Sequence, residues 1–95
     1  MKNEYQVEII NKLKRLRDEN GYSQSKIASL LGISHGQMGN IESFRTPHKY
    51  TLEHIYTICD KFHFPIDHLF LEDADYESNR DIIKTLIFKI VQYEK

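Results

Sequence analysis

The segment Gln24-Ser-Lys-Ile-Ala-Ser-Leu-Leu-Gly-Ile-Ser-His-Gly-Gln-Met-Gly-Asn-Ile-Glu-Ser43 reads as two short helices joined by a tight turn. Ser23, just before it, is placed to cap the first helix by accepting from free backbone N–H groups. Ile27, Ala28 and Leu31 form the inner face of that helix, and Gly32 supplies the left-handed stop that a turn needs. Ser34 and Gln37 have the three-residue spacing of a capping box, so a second helix starts there and runs to about Ser43. Met38 and Ile41 turn inward with Ile27, Leu31 and Ile33, while Ala28 lets the two helices approach closely. The positions left over, His35, Gly36, Gln37, Gly39 and Asn40, are polar or small and face outward. A helix with such a face fits a groove of about 12 Å, the width of the DNA major groove.

Outward from this segment the helical period continues. Val7, Ile10, Leu13, Leu16 and Arg17 predict a helix from about Glu4 to Asn20, stopped by Gly21. Residues Phe44 to Tyr50 read as a loop broken by Pro47 and carrying Arg45, His48 and Lys49. Thr51 caps a fourth helix with Leu52, Ile55, Ile58, Cys59 and Phe62 on its apolar face. A short fifth helix follows Pro65, with Ile66, Leu69 and Phe70 packing back. Glu72 to Ser78 reads as an acidic linker, and a last helix is expected from about Asn79 to Tyr93. Ile82, Ile83, Leu86, Ile87, Ile90 and Val91 give that helix a broad apolar stripe. The expected fold is all-α, divided into a domain at 1–70 and an appendage at 71–95.

The pattern Gln24-x3-Ala28-x3-Gly32-Ile33-Ser34-x3-Met38-x2-Ile41-Glu42 resembles the lambda-repressor-like (Cro/Xre-type) helix-turn-helix family of bacterial and phage regulators. The preceding helix and Phe64-Pro-Ile-Asp-His-Leu-Phe70 are similar to the same family's five-helix domain, so the likeness covers about residues 4 to 70. It implies sequence-specific binding of double-stranded DNA and regulation of transcription, read as repression, by a homodimer on a near-palindromic site and without a cofactor. By the same likeness Gln24 bonds a phosphate and braces the recognition helix. Ser34, His35, Gly36, Gln37, Gly39 and Asn40 belong to the base-facing helix and its head. Ser43, Arg45, Lys49 and Tyr50 lie where the family touches backbone or minor groove, and Arg17 is expected to pair with Glu42. Where the family commonly has Asn-Gly or Arg-Gly after that glutamate, this chain has Ser43-Phe44 and a loop containing Pro47.

Bulk composition bounds these expectations. Ninety-five residues with 40% apolar content suffice for one modest core. The net charge of −1 lacks the basic excess usual for a nucleic-acid partner. The charge is uneven, however: Met1 to His63 carries nine Lys and Arg against seven Asp and Glu, and Phe64 onward four against seven. A single cysteine, no leader-like apolar segment and no run near the ~18 residues of a membrane span point to a cytoplasmic protein, and the likeness to DNA-binding regulators implies that it is nucleoid-associated. Cys59 and His63 are four apart, but nothing completes a four-ligand site, so no metal is expected. Ser23 and Ser34 are accounted for as caps, no base stands beside a nucleophile, and no enzyme is expected.

Two questions stay open at this level. Gly36 and Gly39 each cost about 1 kcal/mol in a helix relative to alanine. Either they permit close approach to bases and sugar-phosphate, or the helix is loose until DNA orders it. The last helix either covers its own core or pairs with a second copy, since operators are usually read by two-fold dimers. The alternatives to a simple regulator are an antitoxin-like or mobile-element regulator that also binds a partner protein through this helix, and a protein-interaction module on the same fold.

Overall fold

Side-chain caps set where the first helices begin. The structure, a computed structural model, describes residues 1–78 and 81–95. Its helices are α1 (Glu4–Glu19), α2 (Gln24–Leu31), α3 (His35–Glu42), α4 (Leu52–Lys61), α5 (Ile66–Phe70), α6 (Asp73–Ser78) and α7 (Ile82–Glu94), with no strand among the described residues. Asn3, Ser34 and Thr51 each close a capping box, with Gln6, Gln37 and His54 respectively, and Ser23 caps α2 alone. Two orphan donors are thereby satisfied at each boxed start.

The stops are as specific. Gly21 has φ +72°, and the N–H groups of Gly21 and Tyr22 donate to Asp18 O and Arg17 O at 3.0 and 2.8 Å. Gly32 has φ +70° and ends α2. At the end of α4 the same left-handed position falls on His63, at φ 52°, with Phe64 N–H donating to Cys59 O at 2.9 Å. A non-glycine residue rarely sits there, and histidine is among those that tolerate it.

Ile9, Ile10, Leu13, Ile27, Ala28, Met38, Ile41, Tyr50, Ile55, Ile58, Cys59, Leu69, Phe70 and Tyr93 form one continuous core. α2 packs on α3 and α4, α1 on α3, α5 and α7, and α7 also on α5 and α6. The chain is compact, with a radius of gyration of 13.5 Å. Leu52, placed on the inner face of α4 by its spacing, is instead exposed.

The acidic stretch is not a linker. Residues Asp73–Ser78 are helical, and Glu72 N–H donates to Asp75 Oδ2 at 2.8 Å. Lysines on two neighbours hold it down: Lys12 of α1 on Glu72 at 3.0 Å and Lys89 of α7 on Asp75 at 2.6 Å. Tyr76 adds a hydroxyl bond to Asp67 at 2.7 Å. A run of acids reads as solvated because its partners lie far away in sequence, and carboxylates also suit the head of a helix. The start expected for the last helix, Asn79, lies outside the described residues.

α7 covers its own chain. Its tail is clasped to the head of α1 through two amide side chains that act at both ends. Asn3 Oδ1 accepts from Gln6 N–H while Asn3 Nδ2 donates to Gln92 O at 2.9 Å. Gln6 Oε1 accepts from Asn3 N–H while Gln6 Nε2 donates to Tyr93 O at 2.7 Å. The fully buried Tyr93 hydroxyl donates to Tyr50 O at 2.7 Å. The broad stripe thus splits: Ile82, Leu86 and Ile90 are half-buried, while Ile83, Ile87 and Val91 remain exposed.

Candidate nucleic-acid interface

α3 is fixed from behind by a buried charge network. The Arg17 guanidinium meets Glu42 in a two-pronged pair, Nε to Oε2 and Nη2 to Oε1, both at 2.7 Å. Arg17 also donates to Asp18 Oδ1 at 2.8 Å and to Tyr22 O at 3.0 Å. Only 9% of the Arg17 side chain and 4% of the Glu42 side chain reach solvent. Burial alone pushes the Glu42 carboxyl up, but bonds from Arg17 and Gln24 and the nearby positive charge outweigh it and hold its pKa below the ordinary value. The bond to Glu42 likewise raises Arg17. A pair with this geometry and burial links α1 to the last turn of α3 far more strongly than a surface ion pair does.

Gln24, at the head of α2, joins the network. Its Nε2 donates to Glu42 Oε1 at 2.8 Å. A carboxylate accepts only, so Glu42 fixes which way the amide points. One N–H is spent on Glu42 and the second remains for another acceptor.

The outer face of α3 is bare. His35, Gly36, Gln37 and Asn40 are exposed and Gly39 is half-exposed. His35 Nδ1 bonds Ser25 Oγ at 2.8 Å, which joins the heads of α2 and α3 and leaves the other ring nitrogen outward. Gln37 Oε1 accepts from Ser34 N–H at 3.1 Å, so its oxygen serves the capping box while its NH2 group is not used by it. Neither glycine is required by the protein's own packing. A Cβ at Gly36 would meet Ser34 Oγ at an ordinary 3.9 Å, and one at Gly39 would meet nothing within 4 Å. Neither has a positive φ.

The loop after α3 is held by a residue with no helical signal of its own. The Lys2 ammonium donates to Ser43 O, to Thr46 O at 2.7 Å and to Asn40 O at 3.3 Å. A cation at the C-terminal end of α3 also complements its dipole. Burial lowers the Lys2 pKa. Thr46 Oγ1 donates to Asn40 O at 2.6 Å and Arg45 N–H to Ser43 Oγ at 3.2 Å. The loop so fixed presents Phe44, 50% exposed, and Arg45 to solvent.

Two expected site residues do not belong to this surface. Tyr50 is 1% exposed, inside the core with its hydroxyl 3.7 Å from Met38 Sδ, because it packs under the tail of α7. Lys49 turns to the same tail, donating to Glu94 O at 3.0 Å and lying 5.9 Å from the Tyr93 ring centre. Of the other expected residues, Ser34, His35, Gly36, Gln37, Gly39, Asn40, Ser43 and Arg45 lie on α3 or on the segments at its ends, and Gln24 stands at the head of α2, bonded to Glu42 of α3. Lys2 and Ser25 are additions. Ser25 has a readable clue, as it sits one residue past the head of α2, whereas Lys2 is about forty residues from its partners and has none.

Cys59 is buried, which pushes its thiol up to about 11, while His63 faces solvent. Among the described residues no three His, Cys, Asp or Glu side chains converge as a metal site would require. None of their helices is long and apolar enough to cross a membrane. No family model, curated protein or solved structure matches this chain.

Proposed function

We propose that the chain is a sequence-specific double-stranded-DNA-binding regulator of transcription, acting as a repressor, with the lambda-repressor-like fold in its first five helices. α3 enters the major groove. The observation that carries this reading is a helix of eight residues with two glycines on its outward side and no packing reason for either. They cost the free protein about 2 kcal/mol together. Close approach of the α3 backbone to another molecule explains that cost, and the flanking His35, Gln37 and Asn40 carry the donors and acceptors that read base edges. Gln24 donates its second N–H to a phosphate at the head of α2, where the helix dipole favours an anion. Arg45 contacts backbone from the loop, and Phe44 lies against the sugars beside it.

Selection of bound sequences from a pool of random duplexes tests the reading. The expected result is a defined half-site, with affinity falling steeply as salt rises. Alanine at His35, Gln37 or Asn40 changes the preferred base, at about 1–3 kcal/mol where a two-pronged contact is lost. Arg45→Ala weakens all sequences alike. An unenriched pool, or base preferences unmoved by every α3 substitution, refutes readout by this helix and leaves the protein-interaction module.

A further inference from the structure

Gln6 and Gln37 both close capping boxes, and the first shows what the second has left to give. Gln6 Oε1 accepts from Asn3 N–H at 2.9 Å, and its Nε2 donates to the Tyr93 carbonyl at 2.7 Å. Gln37 Oε1 accepts from Ser34 N–H at 3.1 Å, while Ser34 Oγ accepts from Gln37 N–H at 3.0 Å. A carboxamide answers an N–H only with its oxygen, so chemistry fixes which end of each side chain turns inward. In Gln6 the outer NH2 group has found an acceptor within the protein. In Gln37 no bond among the described residues uses that group, and the residue is exposed at the head of α3.

We propose that Gln37 selects guanine in the duplex that α3 reads, an inference that rests on the DNA-binding reading and narrows its substrate. A glutamine with both ends free pairs with adenine, taking a bond from N6 on its oxygen and giving one to N7 from its NH2 group. The oxygen of Gln37 is held by Ser34 N–H and has no bond to offer adenine. What remains is two N–H donors and no acceptor. In the major groove the base edge with two neighbouring acceptors and no donor is that of guanine, O6 beside N7. Adenine offers N7 beside a competing donor at N6, and thymine offers O4 beside a methyl group. Folding back to Ser34 also shortens the reach of Gln37, so its NH2 group meets a base edge only when the helix backbone comes close. Gly36 and Gly39 carry no side chain to hold the helix off. Asn40 differs from Gln37: the bonds that reach it from Lys2 and Thr46 end on its backbone carbonyl. Both ends of its amide stay free for the usual pairing with adenine. The half-site thus carries guanine opposite Gln37 and adenine opposite Asn40.

Gln37→Glu tests the assignment while keeping the cap. Its carboxylate closes the same box on Ser34 N–H, so thermal stability should hold or rise. The outer oxygen accepts where the NH2 group donated, so the selected base should change from guanine to cytosine, whose N4 amino group donates. Selection from random duplexes, run side by side on the original and the variant, reads this exchange. The original should prefer guanine about tenfold or more at a single position of the half-site, with the adenine opposite Asn40 unmoved by the substitution. Should the variant misfold or bind no duplex, Gln37→Ala is expected to abolish the preference at that position alone. A selected site in which Gln37 substitutions move an adenine or thymine overturns the proposal and leaves DNA binding by α3 intact. Equal weakening of all duplexes overturns it too, because the NH2 group then lies on a phosphate. A pool without enrichment refutes the DNA-binding reading itself, and this assignment falls with it.

Discussion

Replacing Gly36 and Gly39 by alanine separates what α3 needs for folding from what it needs for its partner. In the free protein neither change meets an obstacle, since the nearest atom to either new Cβ is Ser34 Oγ at 3.9 Å. The helix gains about 1 kcal/mol at each site from the lost backbone freedom of glycine. The double variant should therefore be more stable by about 2 kcal/mol, or roughly 8–16 °C in melting temperature for a domain of this size. Affinity should move the other way. A methyl inserted where backbone meets sugar-phosphate or base edge forces the helix outward and strains the contacts of His35, Gln37 and Asn40. A loss of tenfold or more, about 1.4 kcal/mol, is expected for the selected duplex. Thermal denaturation and fluorescence anisotropy read the two effects on the same preparations. A double variant that gains stability and binds as tightly as the original shows that α3 makes no close approach there. A loss of stability refutes the claim that the glycines lack a packing role.

Arg17→Met strands the Glu42 carboxylate inside the protein and should cost about 3–5 kcal/mol by urea denaturation; a loss under about 1 kcal/mol means the pair behaves as a surface contact. Because the folded-state pKa of Glu42 is lowered, the stability it contributes is present above the ordinary carboxylate range and lost as pH falls through that lowered value. In Glu42→Gln the acid limb of the stability curve should flatten, and an unchanged limb counts against the pair. Lys2→Met should weaken all duplexes several-fold without altering the slope of affinity against salt, because Lys2 holds carbonyls of the loop; a slope reduced by about one marks it as a direct phosphate contact. Gln6→Glu keeps the oxygen that caps α1 but sets a buried carboxylate against Tyr93 O, raising that carboxyl's folded pKa above the ordinary ~4.3. The variant should match the original below about pH 4 and lose stability as pH rises through the raised value, and a melting difference constant from about pH 4 to 7 refutes the clasp between α1 and α7.

Local chemistry is legible in the sequence and distant chemistry is not. Ser23, Ser34 and Thr51 cap their helices through bonds three residues away, and Gly21 and Gly32 mark turns by their own backbone freedom. Such signals lie within a single turn of helix, so the sequence displays both partners side by side. The acidic segment reads as a linker because Lys12 and Lys89, which hold it, sit on other helices. Tyr50 and Lys49 read as interface residues for the same reason: their partner is the tail of α7, more than forty residues on. His63 gives no sign in sequence of its positive φ, which only the structure shows. The double apolar row of α7 is visible as breadth. Which half turns inward depends on Asn3 and Gln6, whose amides look like ordinary capping residues until their second ends find Gln92 and Tyr93.

The same few residues at the chain's start tie together the end of α3 and the tail of α7. Lys2 grips the carbonyls at the end of α3 and in the loop that presents Arg45. Asn3 and Gln6, within one turn, grip the carbonyls at the end of α7. Lys49 and Tyr50 close the circuit from the other side, bonding Glu94 and Tyr93 from the far end of that loop. The end of α3 and the tail of α7 therefore share one framework of bonds, most of them buried or part-buried. A change in how α7 seats must be passed to the loop beside α3 or absorbed as broken bonds at residues 2–6. Coupling between the two would need an element held at both, and the residues that open α1 are bonded to both.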